Sequence, residues 1–273
     1  MTPDTYAAVG VYSGRRWRPA PAIRFSILLH GAGAISLALH PDIWPWVAAT
    51  LIANHLVLLA AVFFPRGRLL GPNLDRLPVS AVERGEVCLT FDDGPDPEVT
   101  PRVLELLERY QAKASFFCVG ERAQAHPEIV REIVRRGHSV ENHSYRHSRA
   151  FALYGISLMR REVESAQAAV TAITGRAPEF FRSPAGFRSP LLDFVLAMAG
   201  LRYVSWTRRG FDAVNSDPAR VLARLTPGLA AGDVLLLHDS APVSLAVLPA
   251  LLEQLAARGL KSVSLPGACS PSS

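Results

Sequence analysis

The stretch that most constrains this chain is Val87-Cys88-Leu89-Thr90-Phe91-Asp92-Asp93-Gly94-Pro95. Val87 to Phe91 reads as a buried strand that stops on two adjacent carboxylates and a Gly-Pro turn. Neighbouring aspartates at a strand end repel each other, so the fold itself gains nothing from them. A metal ion, or a division into one ligand and one base, would make the pair useful. Taken alone, the pair is more simply a turn cap beside a solvated carboxylate. What the chain supplies opposite it decides the matter.

Two local biases organise the 273 residues. Apolar residues make up 49% and charged residues 19%, and the apolar excess is concentrated in residues 23–64. Residues 1–80 hold seven Arg against three Asp, which is +4 of the net +5. The remainder is nearly neutral, which argues against a nucleic-acid groove. The basic residues flank the apolar segment, as membrane flanks do. Cys88, Cys118 and Cys269 have neither metal-like nor disulfide-like spacing, and Cys88 and Cys118 lie in strand-like runs that suit buried, reduced thiols.

Residues 1–22 show no periodicity and read as a disordered or loosely attached N-terminus. Residues 23–64 read as two transmembrane helices. The first apolar run, Ile23 to Leu39, is near the ~17-residue lower limit for a span, and the second, Ile43 to Phe64, is comfortably long enough. Two buried helices of a soluble domain are the competing reading. Basic residues lie before the first run and after the second, and the positive-inside rule then puts both ends in the cytoplasm. This gives a multi-pass protein of the cell (inner) membrane with its main domain on the cytoplasmic side. If only the second run spans, the main domain faces out. Residues 65–85, with Pro65, Gly67, Gly71, Pro72, Pro78 and Gly85, read as a linker. Residues 86–266 form the main domain, and 267–273 a C-terminal tail.

Within 86–266, strands and helices alternate. Strands are expected at 87–91, 114–119, 138–141, 179–182, 202–206, 234–237 and 261–265. Helices are expected at 100–111, 127–136, 157–174, 189–199, 218–225 and 243–258. This α/β alternation predicts a parallel sheet, closed as a barrel or open and doubly wound. No G-x-G-x-x-G follows a strand, so a dinucleotide fold has no support.

Polar clusters follow the strands. His143 and His147, at i and i+4, suit a single metal ion. Arg182 enters a Pro/Gly-stiffened loop with Pro184, Ala185 and Gly186. Phe211-Asp212 follows the fifth expected strand, and the run Val234 to Leu237 ends in His238-Asp239. Strand C-termini form one face of a parallel α/β barrel, so all these residues are expected on one rim. That joint placement is the strongest signal in the sequence. His138 and His126 are expected to be solvated or capping.

The order Thr90-Phe91-Asp92-Asp93-Gly94-Pro95, His143-Ser144-x-x-His147, Arg182-x-Pro184-x-Gly186 and Leu236-x-His238 resembles the polysaccharide deacetylases, the NodB homology domains of carbohydrate esterase family 4. The resemblance covers roughly residues 85–265. It implies a distorted (β/α) barrel that removes N-acyl groups, chiefly N-acetyl, from amino sugars with one divalent metal. Zinc is the default, and Co, Ni, Mn or Fe suit the same donors. The fourth motif departs: where the family often has Asp-Trp, this chain has Asp212-Ala213, so one wall of the sugar groove is altered.

The resemblance implies Asp93, His143 and His147 as metal ligands and Asp92 as general base, oriented by Arg182. His238 becomes the general acid, its tautomer fixed by Asp212. The backbone of Ala185 becomes an oxyanion donor, with Pro184, Gly186 and Phe211 beside it, and Leu236 shapes the acyl pocket. The expected partners are an amino-sugar glycan, with polymeric, oligomeric and lipid-linked forms all open, and the membrane; nothing points to an obligate protein partner. Two competing readings are a deformylase-type amidase on a lipid-linked amino sugar and a catalytically silent sugar-binding membrane protein.

Overall fold

A strand that is apolar on both faces must be covered on both, and parallel pairing under a layer of helices does this. In the computed structural model, which describes residues 14–266, eight strands form the sheet. They are β1 (Glu86–Asp92), β2 (Ala114–Cys118), β3 (Ser139–Asn142), β4 (Phe180–Phe181), β5 (Arg202–Tyr203), β6 (Arg208–Arg209), β7 (Val234–His238) and β8 (Lys261–Ser262). Hydrogen-bonded neighbours run β5-β4-β3-β2-β1-β7-β6, all parallel, and β8 pairs with the opening residues of β1. Asp92 at the end of β1 lies beside Phe117 of β2 and His238 of β7. Asn142, which ends β3, lies beside Cys118 and Phe181. The strand C-termini therefore meet along one rim.

The edge strands β5 and β6 do not pair, so the sheet is an incomplete barrel. Residues 74–77 pair with the chain just past β5 and just before β7. Leu74 N–H donates to the Tyr203 carbonyl, Ser205 N–H to the Leu74 carbonyl and Leu77 N–H to the Gly232 carbonyl, at 2.9–3.0 Å. The expected linker at 65–85 is thus largely structural. Its prolines and glycines conceal backbone pairing that needs no periodic side-chain pattern.

Ten helices accompany the sheet among the described residues. Ahead of it come α1 (Pro21–Leu39), α2 (Trp44–Val62) and the short α3 (Val79–Glu83). Then come α4 (Val99–Arg109), α5 (Gly120–Ala125), α6 (Pro127–Arg135), α7 (Ile156–Thr174), α8 (Leu192–Met198), α9 (Pro218–Leu225) and α10 (Val243–Ala257). Apolar residues at three- and four-residue spacing, such as Val103, Leu104 and Leu107 of α4 and Val247, Leu248, Leu251 and Leu255 of α10, form one core against Leu89, Phe91, Leu235 and Leu237. A second core, with Cys88, Phe117, Phe180, Val204 and Val234, lies on the other face. Cys88 and Cys118 are buried free thiols; Cys269 lies outside the described residues.

The two N-terminal helices agree with the expected segments and pack as a hairpin. Asn54 Nδ2 of α2 donates to Ser26 Oγ of α1 at 2.9 Å, and the rings of His30 and His55 meet edge-on at 5.1 Å. By length and apolarity both helices could cross a membrane. Only 6% and 17% of their apolar windows are buried, and large side chains such as Leu28, Leu39, Trp46 and Phe64 stand exposed.

Arg188 ties the hairpin to the sheet. Its N–H donates to the Val62 carbonyl at the end of α2, and its buried guanidinium donates to the Gly71 and Pro72 carbonyls at 3.1 and 3.0 Å. The chain ahead of α1 docks too. Arg15 pairs with Asp193, and Trp17 packs edge-on against Phe194 at 5.0 Å. A loosely attached 1–22 is therefore corrected for residues 14–22, because an arginine and an aromatic find partners on α8 that are remote in sequence. Residues 1–13 and the tail 267–273 lie outside the described residues.

Three further differences have local causes. β6 consists of two arginines and reads as loop, yet it pairs with β7 because Asp233 and the Pro227 and Gly228 carbonyls take up the Arg208 guanidinium. α5 is only six residues long, too short to show periodicity. His138, expected to be solvated or capping, is buried and accepts from Ala114 N–H, at the start of β2, at 3.2 Å; burial, with Lys113 and Arg136 nearby, lowers its pKa to about 4 and leaves it neutral.

Candidate active site

Strand alternation turns Thr90 and Asp92 to the same face of β1, and both are buried. Arg182, from the segment leaving β4, is wholly buried beside them. Its Nη1 donates to Asp92 Oδ1 at 2.6 Å and to Thr90 Oγ1 at 2.8 Å, and Nη2 donates to the Ser205 carbonyl at 2.9 Å. The guanidinium lies 4.1 Å from the centre of the Phe117 ring. A buried cation needs this kind of hydrogen-bonded company. The pairing expected of Arg182 and Asp92 is present.

The left-handed backbone of Asp93, at φ 72°, breaks the strand alternation, and the carboxylates of Asp93 and Asp92 both approach His143 Nε2, at 3.3 and 3.8 Å. Asp93 Oδ1 lies 3.0 Å from His147 Nε2 and 3.3 Å from His143 Nε2, and one donor atom from each of the three residues falls within 4.8 Å of the others. Oδ1 is buried yet has no aligned hydrogen bond. His143 Nδ1 is held 2.9 Å from the Arg182 carbonyl, which fixes that nitrogen as the donor and leaves the Nε2 lone pair facing Asp93. Burial works against the Asp93 carboxylate, and with both imidazoles protonated their hydrogen bonds and charge outweigh it and hold its carboxyl far below the usual range. An unpartnered buried carboxylate oxygen among imidazole lone pairs is a donor set that fits a divalent metal.

The turns that build this cluster are strained. Six non-glycine residues among those described have positive φ, and five of them lie in the site: Asp93, Ser144, His147, Ala185 and Phe211. Each costs of order 1–3 kcal/mol and persists only where surrounding contacts impose it. Asn142 Oδ1 accepts from Ser144 N–H at 3.0 Å, and Ser144 Oγ accepts from His147 N–H at 3.1 Å, which supplies those contacts around the histidines.

On the opposite side, His238 ends β7. Asp212 accepts from the His238 backbone at 2.7 Å and lies 2.9 Å from its Nδ1. Ser244 Oγ, from the first turn of α10, donates to the same carboxylate at 2.6 Å. Burial disfavours the imidazolium, but the hydrogen bond and charge of Asp212 prevail, and the His238 pKa is raised. The next residue, Asp239, is buried beneath Gly94, where a Cβ would come within 2.1 Å of its Oδ2. Burial pushes its carboxyl up to about 7, opposed by the hydroxyl of Thr100.

The expected substrate-side residues are arranged unevenly. Ala185 is exposed on the turn Pro184–Gly186, while Pro184 and Gly186 are buried. A Cβ on Gly186 would meet the Trp206 ring at 2.6 Å, so only glycine fits there. Phe211 stands partly exposed between the guanidiniums of Arg209 and Arg224, at 4.8 and 4.9 Å. Leu236 is 1% exposed, so it lies beneath the site and offers little open wall.

Three residues near the site had no role assigned from the sequence. Ser244 has no motif of its own. Asp239 looked like a simple neighbour of His238. Arg209 sits beside Leu236 in register, with its guanidinium 5.1 Å from the Trp206 ring. The period-2 pattern from Arg209 through Phe211 could have flagged it.

Breaking the buried pair tests this arrangement. Arg182→Met leaves Asp92 buried without its cation and should destabilise the fold by about 3–5 kcal/mol, read by chemical denaturation. Adding Asp92→Asn should recover part of that loss. Equal stability of wild type and Arg182→Met would show that the pair is not coupled.

Comparison with known proteins gives this geometry its family. The family model described as polysaccharide deacetylase matches residues 80–204. A peptidoglycan-N-acetylglucosamine deacetylase of Bacillus cereus is 30% identical over 192 residues, covering 66% of this chain and 85% of that protein. A chitooligosaccharide deacetylase of Sinorhizobium fredii is 34% identical over 176 residues, covering 62% and 79% respectively. The solved family 4 carbohydrate esterase of Streptomyces lividans, in complex with acetate, superposes with a TM-score of 0.62 at 34% identity, covering 65% of this chain and 91% of that one. With an incomplete parallel barrel and these relatives, the chain belongs to the polysaccharide deacetylase family of hydrolases.

Proposed function

We propose that this protein is a membrane-anchored, metal-dependent amidohydrolase that removes an N-acyl group, N-acetyl by preference, from an amino sugar. The observation that carries this reading is the gathering of Asp92, Asp93, His143, His147, Arg182 and His238 on one rim, with no expected ligand replaced.

Asp93, His143 and His147 would hold the metal. A divalent ion bound there supplies a polarised amide carbonyl and a water acidic enough to attack near neutral pH. Zinc is the default for two imidazoles and a carboxylate. Asp92, paired with the Arg182 guanidinium, takes the proton of the attacking water. The Ala185 N–H, on the Pro184–Gly186 turn, donates to the developing oxyanion. His238 carries the proton for the departing amine on Nε2, because its Nδ1 is engaged by Asp212. Ala213 stands where the family often carries a tryptophan wall, and Phe211, on the other side of Asp212, has Arg209 stacked against it, so cationic and aromatic surface lines this side.

The hairpin supports a membrane location. Helices of 19 residues span about 28 Å at 1.5 Å per residue, close to the ~30 Å hydrocarbon core. Their exposed apolar side chains need a nonaqueous surround, and the Asn54–Ser26 bond holds the pair together as a unit. Arginines at both ends of the hairpin favour a cytoplasmic domain. Reporter fusions after Gly85 should be active only inside the cell; signal confined to the outside would reverse the orientation.

Two variants test the chemistry. Asp92→Asn should lower turnover of N-acetylated amino-sugar oligosaccharides by about 10²–10⁴-fold while elemental analysis finds the metal still bound. Retained activity would remove Asp92 as the base. For the acid, the sign is fixed by Asp212, which raises the His238 pKa and keeps the imidazole protonated to higher pH. Asp212→Asn should therefore move the alkaline limb of the pH–rate profile to lower pH. An unmoved limb would assign the acid elsewhere.

A further inference from the structure

An apolar groove of about 610 Å³ runs between the helical hairpin and the rim of the deacetylase domain. That volume falls within the ~300–1,000 Å³ typical of small-molecule sites. The hairpin contributes Ile27, Leu59 and Phe63, and the domain contributes Leu153, Phe187 and Leu191. All six are large apolar side chains between 36% and 82% exposed, so nothing within the described chain covers them. An unpartnered apolar surface of this extent calls for an occupant.

Three observations say what kind. The groove is formed by the opening turns of α1 and the closing turns of α2, far from the Pro41–Ile43 connection, so it lies at the domain end of the hairpin. In a membrane, that is the depth at which lipid headgroups lie. The groove also joins the active-site rim. Phe187 directly follows the Pro184–Gly186 turn and meets Phe63 of α2 edge-on at 5.4 Å. Finally, Arg149 lines the groove two residues beyond His147; it is exposed and makes no hydrogen bond or ion pair among the described residues. An unpaired guanidinium at an apolar groove suits an anionic group attached to a hydrocarbon chain.

We propose that the groove receives the hydrocarbon chain of a lipid-linked substrate, whose phosphate link meets Arg149 and whose amino sugar reaches the Asp92–His238 rim. This deepens, and rests on, the amidohydrolase reading above. The site thus selects amino sugars still attached to a membrane carrier, and the chain of that carrier supplies binding energy remote from the reacting bond.

The test uses the full chain in phosphatidylcholine nanodiscs. One N-acetylated amino-sugar oligosaccharide is supplied free and joined through phosphate to a prenyl chain. The wild type should show a kcat/KM at least tenfold higher for the lipid-linked form. Ile27→Trp with Leu59→Trp, which fills the groove, should raise KM for that form and bring the ratio of the two substrates toward one; Arg149→Gln should lower the ratio too. A ratio near one in the wild type, or a ratio untouched by the variants, overturns the proposal. Hydrolysis of neither substrate would count against the amidohydrolase reading alone. The groove is then judged by photocrosslinking with a diazirine-bearing prenyl phosphate. Label on residues 149–154 or 187–191, displaced by unlabelled prenyl phosphate and not by added phosphatidylcholine, supports it. Label elsewhere, or equal displacement by phosphatidylcholine, marks the groove as a seat for bulk lipid and overturns it.

Discussion

The site depends on one buried cation. A guanidinium with no solvent exposure needs its charge and most of its donors met within the protein, and here both terminal nitrogens are bonded while Nε is not. Arg182 meets a carboxylate and a hydroxyl from β1, a carbonyl from the segment after β5, and the face of Phe117 from β2. Its own carbonyl fixes His143. One residue therefore sets the position of Asp92, the tautomer of a candidate metal ligand and the spacing of strands across the barrel. Catalytic geometry and core packing are the same contacts here.

A second arginine performs a similar service between modules. Arg188 accounts for the end of α2, the carbonyls of Gly71 and Pro72 and the ring of Tyr203. With Leu74 and Leu77 paired into the chain beside β5 and β7, the segment from hairpin to sheet has little freedom. A rigid connection of this kind holds the rim at a fixed distance from the end of the hairpin.

Much of the fold was legible in the sequence, and for a physical reason. Central parallel strands are buried on both faces, so Val87–Phe91, interrupted only by Thr90, and the unbroken Val234–Leu237 appear as apolar runs that end in polar residues. The metal-type cluster and the Asp92–Arg182 pair were legible through motif order. What was hidden depends on backbone or remote partners. Residues 74–77 pair through main-chain groups, β6 owes its stability to Asp233, and Ser244 reaches Asp212 from 32 positions away. The burial of His138 was hidden because the partner it accepts from, the Ala114 amide, carries no side-chain signature.

The left-handed residues of the site have a consequence for how this protein can be improved or can drift. At Asp93, Ser144, His147, Ala185 and Phe211 glycine would relieve the backbone, since it alone carries no penalty there. At Asp93 and His147 the same change would also delete a candidate ligand. A screen that rewards folding yield alone is therefore drawn toward the positions that hold the chemistry, and relaxed lineages would lose function first at the turns and last in the barrel.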